Sequence, residues 1–164
     1  MVGDFFMQTI NGDLLTALEK GEIQCIGHQT NCMNAFGPII AAKIKKKFPE
    51  AWWADCVFSK DHTPYEKLGK ISYGELETGQ YVLNLYAQLD FGSQSSGRKT
   101  NYESLYRALE VARDFMKEKY LTKIGFPFKM GSDRAGGDWR IVSSIIEVIF
   151  QDSGIDVTIY QLPS

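Results

Sequence analysis

The sequence lacks an apolar run of the roughly 18 residues that a membrane-spanning helix requires. Its first ten residues, MVGDFFMQTI, contain neither the basic region nor the apolar core of a secretory signal. We therefore expect a cytoplasmic protein without a membrane partner, located in the host cytoplasm if a phage encodes it. Residues 1–6 precede a second methionine, Met7, and are interpreted as an N-terminal extension.

Cysteine is scarce, with only Cys25, Cys32 and Cys56 in the chain. An odd number without C-x-x-C spacing argues against a disulfide framework and against a zinc site. The sequence also lacks internal repeats, low-complexity tracts and proline-rich linkers, and its 164 residues with 44% hydrophobic content suffice for one core. We expect a single domain over residues 1–164, with reduced cysteines and no structural metal.

Neither sign of charge is in large excess, because 18 Lys and Arg residues stand against 20 Asp and Glu residues. This balance disfavours a broad nucleic-acid interface, which needs a strongly basic surface. The local basic run KIKKKF, from Lys43 to Phe48, is interpreted as the solvated face of a helix. Nucleic acid is therefore not an expected partner, and the sequence leaves the oligomeric state open.

The chain does contain an alternation of strand-like and helix-like segments. Uniformly apolar runs typical of buried strands occur at Phe5–Ile10, Ile23–Gly27, Tyr81–Ala87, Lys123–Phe126 and Val157–Leu162. Between them, apolar residues recur at helical spacing in stretches that begin near Ile40, Leu105 and Trp139. The pattern predicts an α/β sandwich with a largely parallel sheet, which binds ligands at the carboxyl ends of its strands.

Local signals predict the ends of several helices. The segment TNYE, residues 100–103, matches a capping box with Thr100 as the N-cap. Gly21 is expected to end a short helix in TALEKGE, and Pro38 is placed in the first turn of the helix that contains Ile40. The stretch FGSQSSGRKTN, residues 91–101, is predicted to be a surface loop.

Two loops follow predicted strands and lead into predicted helices. They are HQTNCMNAFGP, residues 28–38, and MGSDRAGGDW, residues 130–139. Each presents free backbone amides at a helix N-terminus, an arrangement that binds phosphate without basic side chains. Together with the segment GDLL, residues 12–15, the pair suggests a ligand with a diphosphate between two sugar-like ends.

The chain resembles the macro domain, a module that binds ADP-ribose. The matching segments are INGDLL, IGHQTNCMNAFGPIIAAKIKKKFPEA, YVLNLYAQLDFG, NYESLYRAL, IGFPFKMGSDRAGGDW and VTIYQL, which cover nearly the whole chain. The resemblance is greatest to phage and bacterial members similar to ADP-ribose-1''-phosphate phosphatases, and the C-terminal part is also similar to members that remove ADP-ribose from acidic side chains. It implies a three-layer α/β/α sandwich with a mixed sheet, and an ADP-ribose cleft without metal or cofactor.

The resemblance assigns roles to individual residues. Asp13 would accept the adenine amine, although its carboxylate is equally suited to cap the following helix. Asn31 would bind the distal ribose, with a structural role in the turn as the alternative. The first phosphate loop would span residues 34–40 and the second residues 131–137. The implied ligand-binding residues are Asp13, Leu14, Asn31, Asn34, Phe36, Gly37, Gly131, Ser132, Arg134, Ala135, Gly136 and Gly137.

Three positions depart from the family pattern. The family commonly has Gly-Ile-Ala where this chain has Ile39-Ile40-Ala41, and the missing glycine would crowd the ligand. Asp133 in the second loop would repel a diphosphate unless it is aimed away, paired or catalytic, and Arg134 could pair with it or clamp phosphate. The lysine that works with such an aspartate in some members falls at Gln88, which argues against a covalent lysine mechanism.

Three side chains are candidates for catalysis, namely His28, Asp133 and Asp138. A histidine beside the loop could exchange protons near neutral pH, with a structural role in the core as the alternative. Asp138 would lie near the terminal phosphate in phosphatase-like members, and it is also suited to cap the helix that begins at Trp139. The first hypothesis is hydrolysis of ADP-ribose-1''-phosphate. The alternatives are a non-catalytic ADP-ribose-binding module and a hydrolase that removes ADP-ribose from protein or nucleic acid.

Overall fold

A computed structural model of the protein describes residues 7–92 and 97–163. Six strands form one sheet in the order β1-β6-β5-β2-β4-β3. All neighbours are parallel except β3 and β4, which are antiparallel. The strands are β1 (Met7–Asn11), β2 (Cys25–Asn31), β3 (Ile71–Glu75), β4 (Tyr81–Gln88), β5 (Lys123–Pro127) and β6 (Asp156–Gln161). The mixed, largely parallel sheet confirms the predicted fold class.

Helices cover both faces of the sheet. They are α1 (Leu14–Glu19), α2 (Ile40–Lys47), α3 (Pro49–Asp61), α4 (Pro64–Lys67), α5 (Tyr102–Glu118) and α6 (Trp139–Phe150). One core packs α5 and α6 against the sheet through side chains such as Leu109 and Ile146. The other core packs α1, α2 and α3 on the opposite face through residues such as Leu18 and Ile44. The three layers agree with the predicted α/β/α sandwich.

Several predicted boundaries were wrong. Strand β2 continues to Asn31, so that His28 lies within the strand and not in the loop after it. The N-cap of α5 is Asn101, whose side chain accepts the Ser104 amide at 2.9 Å, and not Thr100. Pro38 precedes the N-cap of α2 and does not belong to its first turn. The predicted extension, residues 1–6, and part of the predicted loop, residues 93–96, lie outside the described residues.

Three elements were missing from the predictions, namely β3, α3 and α4. Residues of β3 alternate between buried and exposed because this strand lies at the edge of the sheet, so it lacks the uniform apolar run of the other strands. Gly74 on β3 lets α3 approach closely, since a Cβ atom there would stand 2.6 Å from the Ala51 amide nitrogen. Among the described helices, none has the length and apolarity that a membrane crossing would need.

Candidate functional site

A cleft of about 430 Å³ lies at the carboxyl ends of the parallel strands. Its walls come from the segments that follow β1, β2 and β5 and from the end of β6. The volume falls within the usual range for small-molecule sites, and open α/β sheets bind ligands at this edge. The cleft therefore lies where the sequence predicted a ligand.

The first loop connects β2 to α2 along one side of the cleft. Ala35, Phe36 and Gly37 line the cleft, and within the described residues their backbone amides donate no hydrogen bond. The first turn of α2 follows, and the amides of a first helical turn have no carbonyl partner in their own helix. This side of the cleft thus presents a row of peptide donors suited to an anion.

Ile39 has an unusual backbone conformation at the N-cap of α2. Its φ angle is +67°, a region that a β-branched residue rarely adopts, and its side chain is 61% exposed where it lines the cleft. Such a conformation costs on the order of 1–3 kcal/mol. Position 39 therefore has a backbone conformation that favours glycine, and the structure places the isoleucine side chain at the cleft wall.

Glycine has two roles in the second loop, between β5 and α6, because it adopts a positive φ angle and permits a close approach of other atoms to the backbone. Gly131 has a φ angle of +72°, and a Cβ atom there would meet Gln29 Oε1 at 2.5 Å. The loop closes on itself because the Gly137 amide donates to the Gly131 carbonyl at 2.8 Å. Ala135 then accepts the amides of Lys99 and Thr100, which ties the loop to the start of α5.

Gln29 and Gln88 form a polar floor between the two loops. The Gln29 Nε2 atom donates to Gln88 Oε1 at 2.9 Å and to Thr100 Oγ1 at 2.7 Å, and the Thr100 hydroxyl donates to the Gly131 carbonyl at 2.6 Å. The sequence reasoning missed Gln29. The available signal was a polar side chain at the end of a strand, where Gln29 is half-buried while the other six residues of β2 are buried.

Asp13 lines the cleft and caps α1 at the same time. Its Oδ1 atom accepts the amides of Leu15 at 2.9 Å and Thr16 at 3.2 Å. Within the described residues, Oδ2 accepts no hydrogen bond. The geometry is therefore compatible with both proposed roles, and adenine binding by Asp13 stays a prediction. Its neighbour Leu14 also lines the cleft.

The two asparagines of the first loop are occupied by the protein itself. Asn31 donates to the Ala35 carbonyl at 2.6 Å and accepts the Met33 amide at 2.9 Å, which is the structural alternative considered for it. Asn34 turns away from the cleft and donates to Asp55 at 2.9 Å. Asn34 was predicted to bind the ligand as part of the first phosphate loop, but it does not line the cleft, because a buried carboxylate holds its side-chain amide.

His28 is buried in β2 and does not line the cleft. Its Nε2 atom lies 2.7 Å from Asn84 Oδ1, on the side of the sheet that α3 covers. Burial lowers the pKa of the imidazole to about 4, so it is neutral at pH 7. The structure therefore corrects the expectation that His28 faces the ligand as an acid or base, and it favours the structural alternative.

Asp138 lies outside the cleft, as do Ser132, Gly136 and Gly137. Its Oδ1 atom accepts the Arg140 amide at 2.9 Å, which makes it the N-cap of α6, and Oδ2 pairs with the Arg140 guanidinium at 2.9 Å. Hydrogen bonds from Arg140 hold the pKa of this carboxyl below its usual range. The geometry corrects the placement of Asp138 near a terminal phosphate and supports its capping role.

We expect Asp138→Ala to lower the folding equilibrium constant about fivefold, whereas Asp138→Ser should leave it nearly unchanged, because serine also caps helices. Urea unfolding of both variants measures the difference. Ligand affinity of the cleft should be the same in both. A serine variant as unstable as the alanine variant would show that the pair with Arg140, and not the cap, stabilises this helix end.

Asp133 and Arg134 remain as charged side chains of the second loop at the cleft. Both line it, both are exposed, and neither forms an ion pair within the described residues. Lys43 and Lys129 add positive charge to the lining. Of the three predicted catalytic side chains, Asp133 is the one that the structure brings to the cleft.

Comparisons of sequence find two curated relatives, and no family model matches the chain. An uncharacterized 17.5 kDa protein from the tk-vs intergenic region of Enterobacteria phage T4 is 23% identical over 84% of this chain and 86% of its own length. ADP-ribose glycohydrolase OARD1 from Bos taurus is 26% identical over 93% of this chain and 90% of its own. Both similarities extend over most of each chain.

Solved structures similar to this chain include a Bacteroides thetaiotaomicron protein of unknown function, with a TM-score of 0.83, 24% identity, and coverage of 96% of this chain and 99% of that one. The macrodomain of Mycobacterium tuberculosis DarG superposes with a TM-score of 0.76 at 21% identity, covering 98% and 99%. Thermosipho africanus DarTG in complex with ADP-ribose gives 0.77 at 15% identity, covering 97% of this chain and 43% of that one. The strand order, the three layers and these superpositions together show that this chain has the macrodomain fold.

Proposed function

We propose that the protein binds ADP-ribose in the cleft, with the adenine beside Asp13 and the diphosphate between the two loops. The observation that carries this proposal is the pair of loop segments at 35–37 and 133–135, which line one cleft and whose peptide amides donate no hydrogen bond within the described residues. Two separated anion sites fit a diphosphate better than a single phosphate. The ADP-ribose complex of DarTG, which shares the fold, supports the same ligand.

We further propose that the protein hydrolyses the bond between the distal ribose and its 1'' substituent, with ADP-ribose-1''-phosphate as the substrate. Water would attack phosphorus and form a new P–O bond, and the bond between phosphorus and the O1'' atom of the distal ribose would break. Asp133 would take the proton of the attacking water and return it to the leaving oxygen, which gives ADP-ribose and inorganic phosphate. Asp133 is assigned this role because it is the predicted catalytic carboxylate that lines the cleft.

Removal of ADP-ribose from protein or nucleic acid is the second candidate activity. The similarity to a relative named ADP-ribose glycohydrolase favours it. A covalent lysine intermediate at position 88 is disfavoured, because Gln88 stands there and its amide donates to the Asp90 carbonyl at 2.8 Å. Hydrolysis by this route would therefore also depend on water and Asp133.

Calorimetric titration tests the proposed ligand. We expect ADP-ribose to bind at least tenfold more tightly than AMP, because AMP can occupy the adenine end and one anion site only; a tenfold difference corresponds to about 1.4 kcal/mol. Equal affinity for the two nucleotides, or no binding of either, would contradict the proposal.

Phosphate release from ADP-ribose-1''-phosphate in ¹⁸O-labelled water tests the reaction. Attack on phosphorus places the label in the released phosphate, as proposed. Release of unlabelled phosphate would show that water attacks C1'' instead, which is the bond cleavage of a glycohydrolase. Binding of ADP-ribose without any release would leave two functions, the non-catalytic binding module and the removal of ADP-ribose from protein or nucleic acid.

A further inference from the structure

A cluster of buried polar side chains lies beneath the first loop, between the sheet and α3. We define this buried polar cluster by Asp55, Ser59, Lys67, Ser72, Asn84 and Tyr86. Lys67 and Asp55 are both 0% exposed, and the Lys67 ammonium donates to Asp55 Oδ1 at 3.0 Å and to Ser59 Oγ at 2.7 Å. The Tyr86 hydroxyl donates to the same carboxylate oxygen at 2.5 Å. The pair is thus fully removed from water.

The second oxygen of Asp55 reaches out of the cluster to the first loop. Asn34 donates its side-chain amide to Oδ2 at 2.9 Å, and the same amide lies 3.6 Å from Cys56 Sγ. The Asn34 backbone has a φ angle of +54°, a left-handed conformation that asparagine tolerates. A hydrogen bond to an ionised acceptor is roughly twice as strong as one between neutral groups.

The hydrogen bond from Asn34 to Asp55 holds the chain immediately before the part of the first loop that lines the cleft. Asn34 stands directly before Ala35, Phe36 and Gly37, which line the cleft and whose amides donate no hydrogen bond within the described residues. The Asn31 side chain closes the loop from the other side through Met33 and Ala35. The loop is therefore tied to β2 at one point and to a buried carboxylate at the other.

We propose that Asn34 is a positioning residue, and that the buried Asp55 and Lys67 pair acts through it to hold the first loop in its ligand-binding conformation. A buried ion pair adds little stability compared with apolar side chains of the same volume, but it fixes the geometry of the groups that bond to it. Holding a loop in its bound conformation raises affinity by lowering the ordering cost of binding. The identity of the ligand rests on the proposed function, whereas the conformation of the loop does not.

The test uses Asn34→Gly, because glycine adopts the positive φ angle without strain and lacks the side-chain amide that bonds Asp55. We expect the affinity for ADP-ribose to fall about tenfold, since the loop must then be ordered on binding. Adenosine lacks the diphosphate, so its affinity should change by less than about twofold. That change is clearly smaller than the tenfold loss expected for ADP-ribose. The matched control is Met33→Ala, which changes an exposed side chain of the same loop and should alter neither affinity.

Hydrogen exchange in the unliganded protein gives a readout that does not depend on the ligand. The Met33 amide is bonded to the Asn31 side chain and the Lys43 amide to the Ile39 carbonyl, so both report on the loop. We expect Asn34→Gly to speed exchange at these two amides about tenfold, while amides in α5 keep their wild-type rates.

Unchanged exchange at Met33 and Lys43 in the folded Asn34→Gly protein would overturn this inference, whatever the ligand. So would equal losses of affinity for ADP-ribose and adenosine, since these would indicate general damage to the cleft. Failure of the wild-type protein to bind ADP-ribose would instead contradict the proposed function and leave the exchange result to decide the role of Asn34.

Discussion

Lys67→Met is expected to lower the free energy of unfolding by about 3–5 kcal/mol, because it leaves the buried Asp55 carboxylate without its cation. The methionine side chain fills a similar volume, so the loss would come from charge and not from a cavity. Asp55 would keep two hydrogen bonds, from Tyr86 and Asn34, but hydrogen bonds from neutral groups do not replace a counter-charge in a site that is 0% exposed.

Urea unfolding followed by circular dichroism measures this loss. The control is Lys60→Met, which removes an exposed lysine from α3 and should change the stability by less than about 0.5 kcal/mol. Adding Asp55→Asn to Lys67→Met removes both charges and should recover at least half of the loss, since asparagine can still accept from Tyr86. A loss of less than about 1 kcal/mol in the single variant would show that the pair is not an essential part of the core.

Asp133→Asn is expected to slow phosphate release at least about a hundredfold, because an amide cannot take a proton from the attacking water. Affinity for ADP-ribose should stay the same or rise, since the substitution removes a negative charge from the wall that faces a diphosphate. The two effects have opposite signs, which separates catalysis from simple damage to the cleft. Single-turnover rates and calorimetric titration measure them independently.

Asp156→Asn is the matched control for this substitution. Asp156 is exposed and begins β6, at the opposite end of the strand from the cleft, so turnover and affinity should both stay at wild-type values. Weaker ADP-ribose binding by Asp133→Asn would mean that the carboxylate accepts a hydrogen bond from the ligand, against the repulsion argument. Unchanged turnover would show that another group handles the proton.

The strands and loops that surround the cleft could be predicted because their signals are local. Strands β4 and β5 are predominantly apolar, and the glycines of the second loop stand between β5 and an amphipathic helix. The edge strand β3 gave no such signal, because two of its five residues are exposed and Gly74 interrupts its apolar pattern.

The direction of each polar side chain could not be predicted in the same way. Asn31 and Asn34 belong to one loop, yet one amide closes the turn and the other reaches Asp55, which comes from a helix that was not predicted. The environment of His28 likewise depends on Asn84, 56 positions away in sequence. Such pairs form only when strands and helices pack, so the sequence identified the loops but not which of their side chains face the cleft.

Strand β1 lies at the edge of the sheet, and within the described residues it pairs only with β6. This pairing sets the order in which parts of the cleft can fold during synthesis. At about 5–20 residues per second, the ribosome releases β6 on the order of ten seconds after β1, and until then that edge strand has no neighbour. Asp13 follows β1 directly, and Tyr160 and Leu162 of the C-terminal segment share the cleft wall with it. The side of the cleft that Asp13 lines therefore can be completed only after the last strand has docked, whereas the first and second loops follow strands that the nascent chain already carries.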